Sequence, residues 1–130
     1  MIESLFIANR GEIALRIIRT CREMGIETVL GYSEADRDSL PVRMADRTVC
    51  IGPPEAKKSY LQGQNLISAA LYSGCDAVHP GVGFLSESAD FARGVEDAGL
   101  IFVGPAPETI EFLGNKVQAR KSAEAAGIPV

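Results

Sequence analysis

Chemistry-bearing residues crowd into His79-Pro80-Gly81-Val82-Gly83-Phe84-Leu85-Ser86-Glu87. Before this run, Cys75-Asp76-Ala77-Val78 reads as the end of a short buried strand, and Ser88 to Ala98 reads as a helix. A strand that stops at a glycine-rich turn and feeds a helix places its loop beyond the carboxyl end of the strand, where open α/β sheets bind ligands. Glycines let the backbone approach a ligand closely and take positive φ. Helix starts offer unpaired N–H groups to an anion. A plain tight turn between strand and helix explains the same residues equally well.

His79 is the only histidine. It has no second imidazole with which to hold a metal and no partners for a nucleophilic triad. A ring that hydrogen-bonds backbone and holds the loop is the simpler role. Glu87 falls at a helix start, where the dipole favours a carboxylate. It is either a helix-end charge or the partner of a cation brought from elsewhere. Lys116 is a cation in the first turn of a helix that Gly114-Asn115 would open, with Asn115 as N-cap. The dipole disfavours a cation there, so Lys116 is either an ordinary surface lysine or a charge set to hold an anion. Arg16, Arg19 and Glu23 share one helix face opposite the apolar stripe. They form either a solvated charged face, with Arg19 and Glu23 paired, or a subunit interface.

These residues need a frame, and the pattern supplies a strand–helix alternation. Ser4 to Ala8 is an apolar run read as a buried first strand. Ile13, Ala14, Ile17, Ile18, Cys21 and Met24 recur at helical spacing, and Gly25 ends that helix. Thr28 to Tyr32 is a second strand, so the first unit is βαβ with a right-handed crossover. A polar acidic turn follows at 33–38 and a short helical piece at 40–45. Thr48 to Ile51 is the third strand, and 55–61 is a polar loop. A helix marked by Leu66, Ile67, Ala70 and Leu71 leads to the strand at 75–78. After the helix at 88–98, Leu100 to Val103 is a fifth strand. Two helical pieces, 108–113 and 116–126, complete the chain. The fold class is α/β: an open, mostly parallel, Rossmann-like sheet.

Bulk properties narrow the function. At 130 residues the chain is one ordinary domain. A net charge of −4 argues against a general nucleic-acid surface. The first βα turn, Ala8-Asn9-Arg10-Gly11-Glu12-Ile13, has one glycine where dinucleotide binding needs three, although Glu34 and Asp36 stand where a ribose-binding acid could sit. Cysteines 21, 50 and 75 have neither metal nor redox spacing and read as small buried hydrophobes, which fits a reducing compartment. No apolar run resembles a signal peptide or a membrane span. Ile128-Pro129-Val130 resembles the approach to another strand, so the chain is expected to be the amino-terminal fragment of a larger enzyme.

Ordered across the sequence are Ile7-Ala8-Asn9-Arg10-Gly11-Glu12-Ile13-Ala14, Ala35-Asp36-Arg37-Asp38, Val49-Cys50-Ile51-Gly52, Ser59-Tyr60-Leu61, His79-Pro80-Gly81, Gly83-Phe84-Leu85-Ser86-Glu87, Phe102-Val103-Gly104-Pro105 and Gly114-Asn115-Lys116. Any one is weak; as an ordered set they closely resemble the amino-terminal domain of biotin carboxylase, from the family of biotin-dependent acyl-CoA and pyruvate carboxylases. The resemblance implies that residues 1–114 are the α/β domain preceding an ATP-grasp module and that 115–130 begin that module. It implies an enzyme of the ligase class that uses ATP and Mg2+ (or Mn2+) to activate bicarbonate, apparently as carboxyphosphate, and carboxylates biotin on a carrier protein or domain. Acetyl-CoA carboxylase, and with it fatty acid biosynthesis, is one setting. The partners implied are the remainder of the chain, the biotin carrier, a carboxyltransferase and a second copy in a homodimer, with no nucleic acid and no membrane.

Residue by residue, the resemblance makes Lys116 a contact to the nucleotide phosphates, Gly83 and Glu87 a wall of the biotin and bicarbonate pocket, and Arg16, Arg19 and Glu23 part of a dimer interface. Glu87 would orient an arginine from outside this piece. No catalytic residue and no metal ligand carries over, so the piece alone is expected to be inactive. Many members have tyrosine at Val82, asparagine at Ser88 and aspartate at Asn115; Ser88 can still cap a helix. A start methionine close to the first strand leaves no room for a transit peptide, which points to a bacterial-type cytoplasmic enzyme. A scaffold for dimerisation, or the leading domain of another ATP-grasp ligase such as carbamoyl-phosphate synthetase, are the alternatives.

Overall fold

The computed structural model describes residues 1–129. Five strands form one sheet: β1 (Ser4–Ile7), β2 (Glu27–Ser33), β3 (Arg47–Gly52), β4 (Ala77–His79) and β5 (Ile101–Phe102). Their order is β3-β2-β1-β4-β5, and every neighbouring pair is parallel. Five α-helices accompany them: α1 (Gly11–Met24), α2 (Leu40–Met44), α3 (Gly63–Tyr72), α4 (Ala89–Asp97) and α5 (Pro107–Ala125). None of the described helices is long and apolar enough to cross a membrane.

The apolar run of β1 follows from its place at the centre of the sheet, covered on both faces. Because side chains alternate along a strand, Leu5 and Ile7 join Leu30 and Ala77 beneath Ala14, Ile18 and Cys21 of α1. Phe6 and Ala8 face the other way, into a core with Val29, Val78 and Phe102. That core is closed by Leu66, Ile67 and Ala70 of α3 and by Phe91, Ala92 and Val95 of α4. Phe91 meets Phe102 edge to face at 6.1 Å. Each such side chain contributes about 2 kcal/mol by leaving water. Gly31 of β2 is kept small by this core, since a β-carbon there would lie 2.7 Å from the Phe6 ring and 3.0 Å from Ile51.

Three details differ from the sequence pattern. The buried stripe of α1 includes Leu15, while Met24 ends the helix 67% exposed and helps line an open apolar groove of about 310 Å3 with Ile2, Ile17, Ile26 and Val103. Cys50 is exposed, because β3 is an edge strand; Cys21 and Cys75 are buried as expected. The two helical pieces expected at 108–113 and 116–126 are one helix, α5, running through Gly114 without a break. A glycine inside a helix costs only about 1 kcal/mol against alanine. Good helix formers flank this one on both sides, so the helix absorbs it.

Replacing Gly31 by valine forces methyl groups into the Phe6 ring. We expect a loss of about 1–3 kcal/mol of stability, read from the urea midpoint at unchanged m-value. An unchanged midpoint would show that the Phe6 contact is not close-packed.

Candidate functional site

The strand order reverses between β1 and β4, and the loops leaving their carboxyl ends lie side by side. After β1 the chain runs through Ala8, Asn9 and Arg10 into α1. After β4 it runs through Pro80–Gly83 into a 3-10 turn at Phe84–Glu87, then into α4. Ser88 caps α4 by accepting a hydrogen bond from the Phe91 N–H at 3.1 Å.

Asn9 joins the two loops. Its Nδ2 donates to the carbonyl of Pro80 at 2.8 Å and to that of Val82 at 2.9 Å, and its Oδ1 accepts from the Arg10 N–H at 2.8 Å. The ring of His79 accepts at Nδ1 from the Gly81 N–H at 3.0 Å, so it holds the loop as the simpler reading expected. Burial pushes the His79 pKa down, which favours the neutral imidazole that this acceptor role requires. Gly81 sits at φ +70 with Asn9 directly where a β-carbon would go. Gly83, at φ +71 and ψ −159, borders open space. Phe84 also takes a positive φ of 45, held by stacking on Tyr60 with ring centres 5.0 Å apart.

A polar network braces the β1 side. Arg10 makes a bidentate pair with Asp36, Nε to Oδ2 at 2.7 Å and Nη2 to Oδ1 at 2.6 Å. Tyr60 donates its hydroxyl to Asp36 Oδ2 at 2.6 Å and accepts from the Ser33 N–H at 3.0 Å. The Arg10 hydrogen bond holds the Asp36 carboxyl below the usual carboxylate range. Burial, helped by the Asp36 hydrogen bond, pushes Tyr60 up to about 12. Asp36 is therefore committed to structure and is not a ribose acceptor. The segment read as a polar loop at 55–61 contains Ser59 and Tyr60, both buried. A tyrosine among lysines and a glutamate gave no periodic signal by which to place it inside.

The loops leave an open depression of about 530 Å3 lined by residues 9–13 and 82–84, with Gly83 on its wall and the exposed Val82 at its rim. Glu87 lies at the far end of the 3-10 turn, exposed, beside a second groove of about 340 Å3 that Ile110, Leu113 and Val117 of α5 also line. Gly83 and Glu87 thus face neighbouring hollows rather than one pocket. Glu87 belongs to the turn that precedes α4, so the helix-start reading places it one element too late. Lys116 is exposed in the middle of α5, not in a first turn. The dipole argument for it fails, and Asn115 caps nothing, because Gly114 does not end the helix. Arg16, Arg19 and Glu23 are all exposed along α1. Among the described residues the ion pairs belong to Arg10, Arg47 and Arg93, so the intrahelical Arg19–Glu23 pair does not form. No described group of three or more His, Cys, Asp or Glu side chains could hold a metal ion. Asn9, which sequence reasoning did not single out, is marked only as a polar residue directly after an apolar strand.

Sheet order and paired loops define the chain as a doubly wound α/β domain with a ligand-type switch point. The family model "Biotin carboxylase, N-terminal domain" matches residues 1–110, and the chain belongs to that family. It is 59% identical over 129 residues to biotin carboxylase of Allochromatium vinosum, covering 99% of this chain and 29% of that one. It is 55% identical over 130 residues to biotin carboxylase 1 of Bacillus subtilis, covering 100% of this chain and 29% of that one. Among solved structures, the biotin carboxylase subunit of pyruvate carboxylase superposes with a TM-score of 0.87 at 45% identity, over 100% of this chain and 29% of that one. The biotin carboxylase domain of a thermophilic 2-oxoglutarate carboxylase bound to bicarbonate gives 0.87 at 41% identity, with the same shares. The chain thus spans 29% of the length of the biotin carboxylases it matches.

Because the folded pKa of Asp36 is depressed, its pairing contributes stability that is complete above the unfolded carboxylate value near ~3.9 and is lost as pH falls through the folded value. Asp36→Asn should therefore be less stable at neutral pH and show a shallower acid-side loss than wild type. Equal acid-side slopes in pH-dependent urea unfolding would contradict the pairing.

Proposed function

We propose that this chain is the amino-terminal part of an ATP-dependent biotin carboxylase, which activates bicarbonate with MgATP and carboxylates biotin on a carrier protein or domain. The reading is carried by the 59% identity to a biotin carboxylase over nearly the whole of this chain. It is supported by Gly83, whose backbone borders an open depression at the switch point. Among the described residues no group of three or more acidic, His or Cys side chains fits Mg2+.

ATP and bicarbonate are both anionic and repel each other, so cations must gather them. Arg10 is committed to Asp36. Lys116 is exposed and outside every ion pair among the described residues. We assign it to the nucleotide phosphates on the family resemblance, without the helix-end argument. On the same resemblance Gly83 and Glu87, each on its own hollow, are assigned to one wall of a biotin and bicarbonate pocket that the remainder of the chain completes, with Glu87 orienting an arginine from that remainder. Residues 1–114 are the α/β domain and 115–130 begin an ATP-grasp module, although α5 is continuous across that boundary. Arg16, Arg19 and Glu23 lie in a homodimer interface. The wider assembly is cytoplasmic, supplies the carrier and a carboxyltransferase, and sets the final acceptor.

The full-length protein should hydrolyse ATP in a bicarbonate- and biotin-dependent manner; absence of that dependence in folded protein refutes the reading. In the same assay, Lys116→Ala should raise the KM for ATP by about tenfold or more, with the KM for biotin little changed. Unchanged ATP kinetics would remove Lys116 from the nucleotide site. Arg19→Glu should shift the full-length protein from dimer to monomer in sedimentation, and a dimer of wild-type strength would place α1 outside the interface.

A further inference from the structure

We infer that Asn9 is a positioning residue for the biotin-carboxylation step, setting the 80–83 loop at the height biotin needs; this deepens the biotin carboxylase reading and rests on it. Both hydrogens of one carboxamide nitrogen are spent on two carbonyls of the same loop, Pro80 and Val82. The carboxamide oxygen is spent on the Arg10 N–H. This pattern fixes the orientation, because a flipped amide would set its oxygen against two carbonyl oxygens. Asn9 is only 2% exposed, so nothing in solvent replaces these bonds without cost.

Contact is steric as well as polar. A β-carbon at Gly81 would fall 2.5 Å from Asn9 Nδ2, which shows how closely the loop rests on that side chain. Val82 and Gly83 follow at once, and Gly83 walls the depression. A shift of the Val82 carbonyl is therefore passed to Gly83 through one peptide plane. Arg10, which carries the third hydrogen bond, is tied by Asp36 to Tyr60 and Ser33. The carboxamide is thus backed by a rigid brace on the β1 side and supports a loop on the β4 side.

Neither of the two nearest substitutes reproduces these bonds. Aspartate has the shape but cannot donate, and its charge would repel both carbonyls. Serine cannot span the two acceptors. The loop keeps other anchors in either case: the Gly81 N–H on His79, the Ser86 N–H on the Gly83 carbonyl, and Phe84 on Tyr60. Loss of the carboxamide should therefore displace the loop without unfolding the domain.

The test uses the full-length protein with free biotin as acceptor and measures KM separately for biotin and ATP in wild type, Asn9→Asp and Asn9→Ser. We expect both variants to raise the biotin KM by about tenfold or more and to leave the ATP KM within about twofold. A biotin KM equal to that of wild type in either folded variant overturns the inference. So does a parallel rise in both constants, since a general packing defect would give that. If Asn9→Asp fails to fold, Asn9→Ser carries the same decision. If wild type itself shows no biotin-dependent turnover, the carboxylase reading falls, and this inference with it.

Discussion

Where β1 and β4 lie side by side, the carbonyls of Pro80 and Val82 turn towards Asn9, the first at a buried contact and the second at a partly buried one, and need donors. A buried carbonyl left without one costs about 1–3 kcal/mol. Asn9 meets both at once, and the rest of the site follows from that. Gly81 must be glycine because Asn9 occupies the space of its side chain. The loop then emerges at a fixed height, places Gly83 at open space, and enters the 3-10 turn that carries Glu87. The neighbouring Arg10–Asp36–Tyr60 network stops the β1 side from yielding. Tyr60 in turn stacks on Phe84, so the brace returns to the loop it supports.

Much of the frame was legible from residue pattern. Two-sided burial makes β1 a continuous apolar run, and the 3.6-residue stripe of α1 is unmistakable. The fourth strand, read at 75–78 and found at Ala77–His79, and its glycine loop were legible because strand, turn and helix signals follow one another without a gap. What escaped has physical reasons. Tyr60 lies in a segment of mostly polar residues, and it packs on Asp36 and Phe84, residues distant in sequence. Asn9 makes its bonds across 71 and 73 positions, which no local pattern reports. Gly114 looked like a break because glycine so often ends helices. Here the helix-forming residues on either side outweigh its small penalty. Cys50 looked buried from its apolar neighbours, yet an edge strand shows one side to solvent.

Part of the surface is apolar. Phe112, Leu113 and Val117 of α5 are exposed on a helix whose first turns alone pack, through Ile110, against the core. Met24, which lines an apolar groove, and Ile101 of the edge strand β5 are exposed as well. The matched carboxylases are about three times as long, since this chain spans 29% of them. Gly83 and Glu87 face separate open hollows.

The central claim is that this domain lends one wall of a cleft in which nucleotide and biotin meet. The most direct measurement is a structure of the full-length protein with biotin and an ATP analogue bound. The account predicts biotin in van der Waals contact with the backbone at Gly83, and a nucleotide phosphate within hydrogen-bonding reach of the Lys116 ammonium. Both ligands bound well away from residues 83–87 and from Lys116 would contradict it.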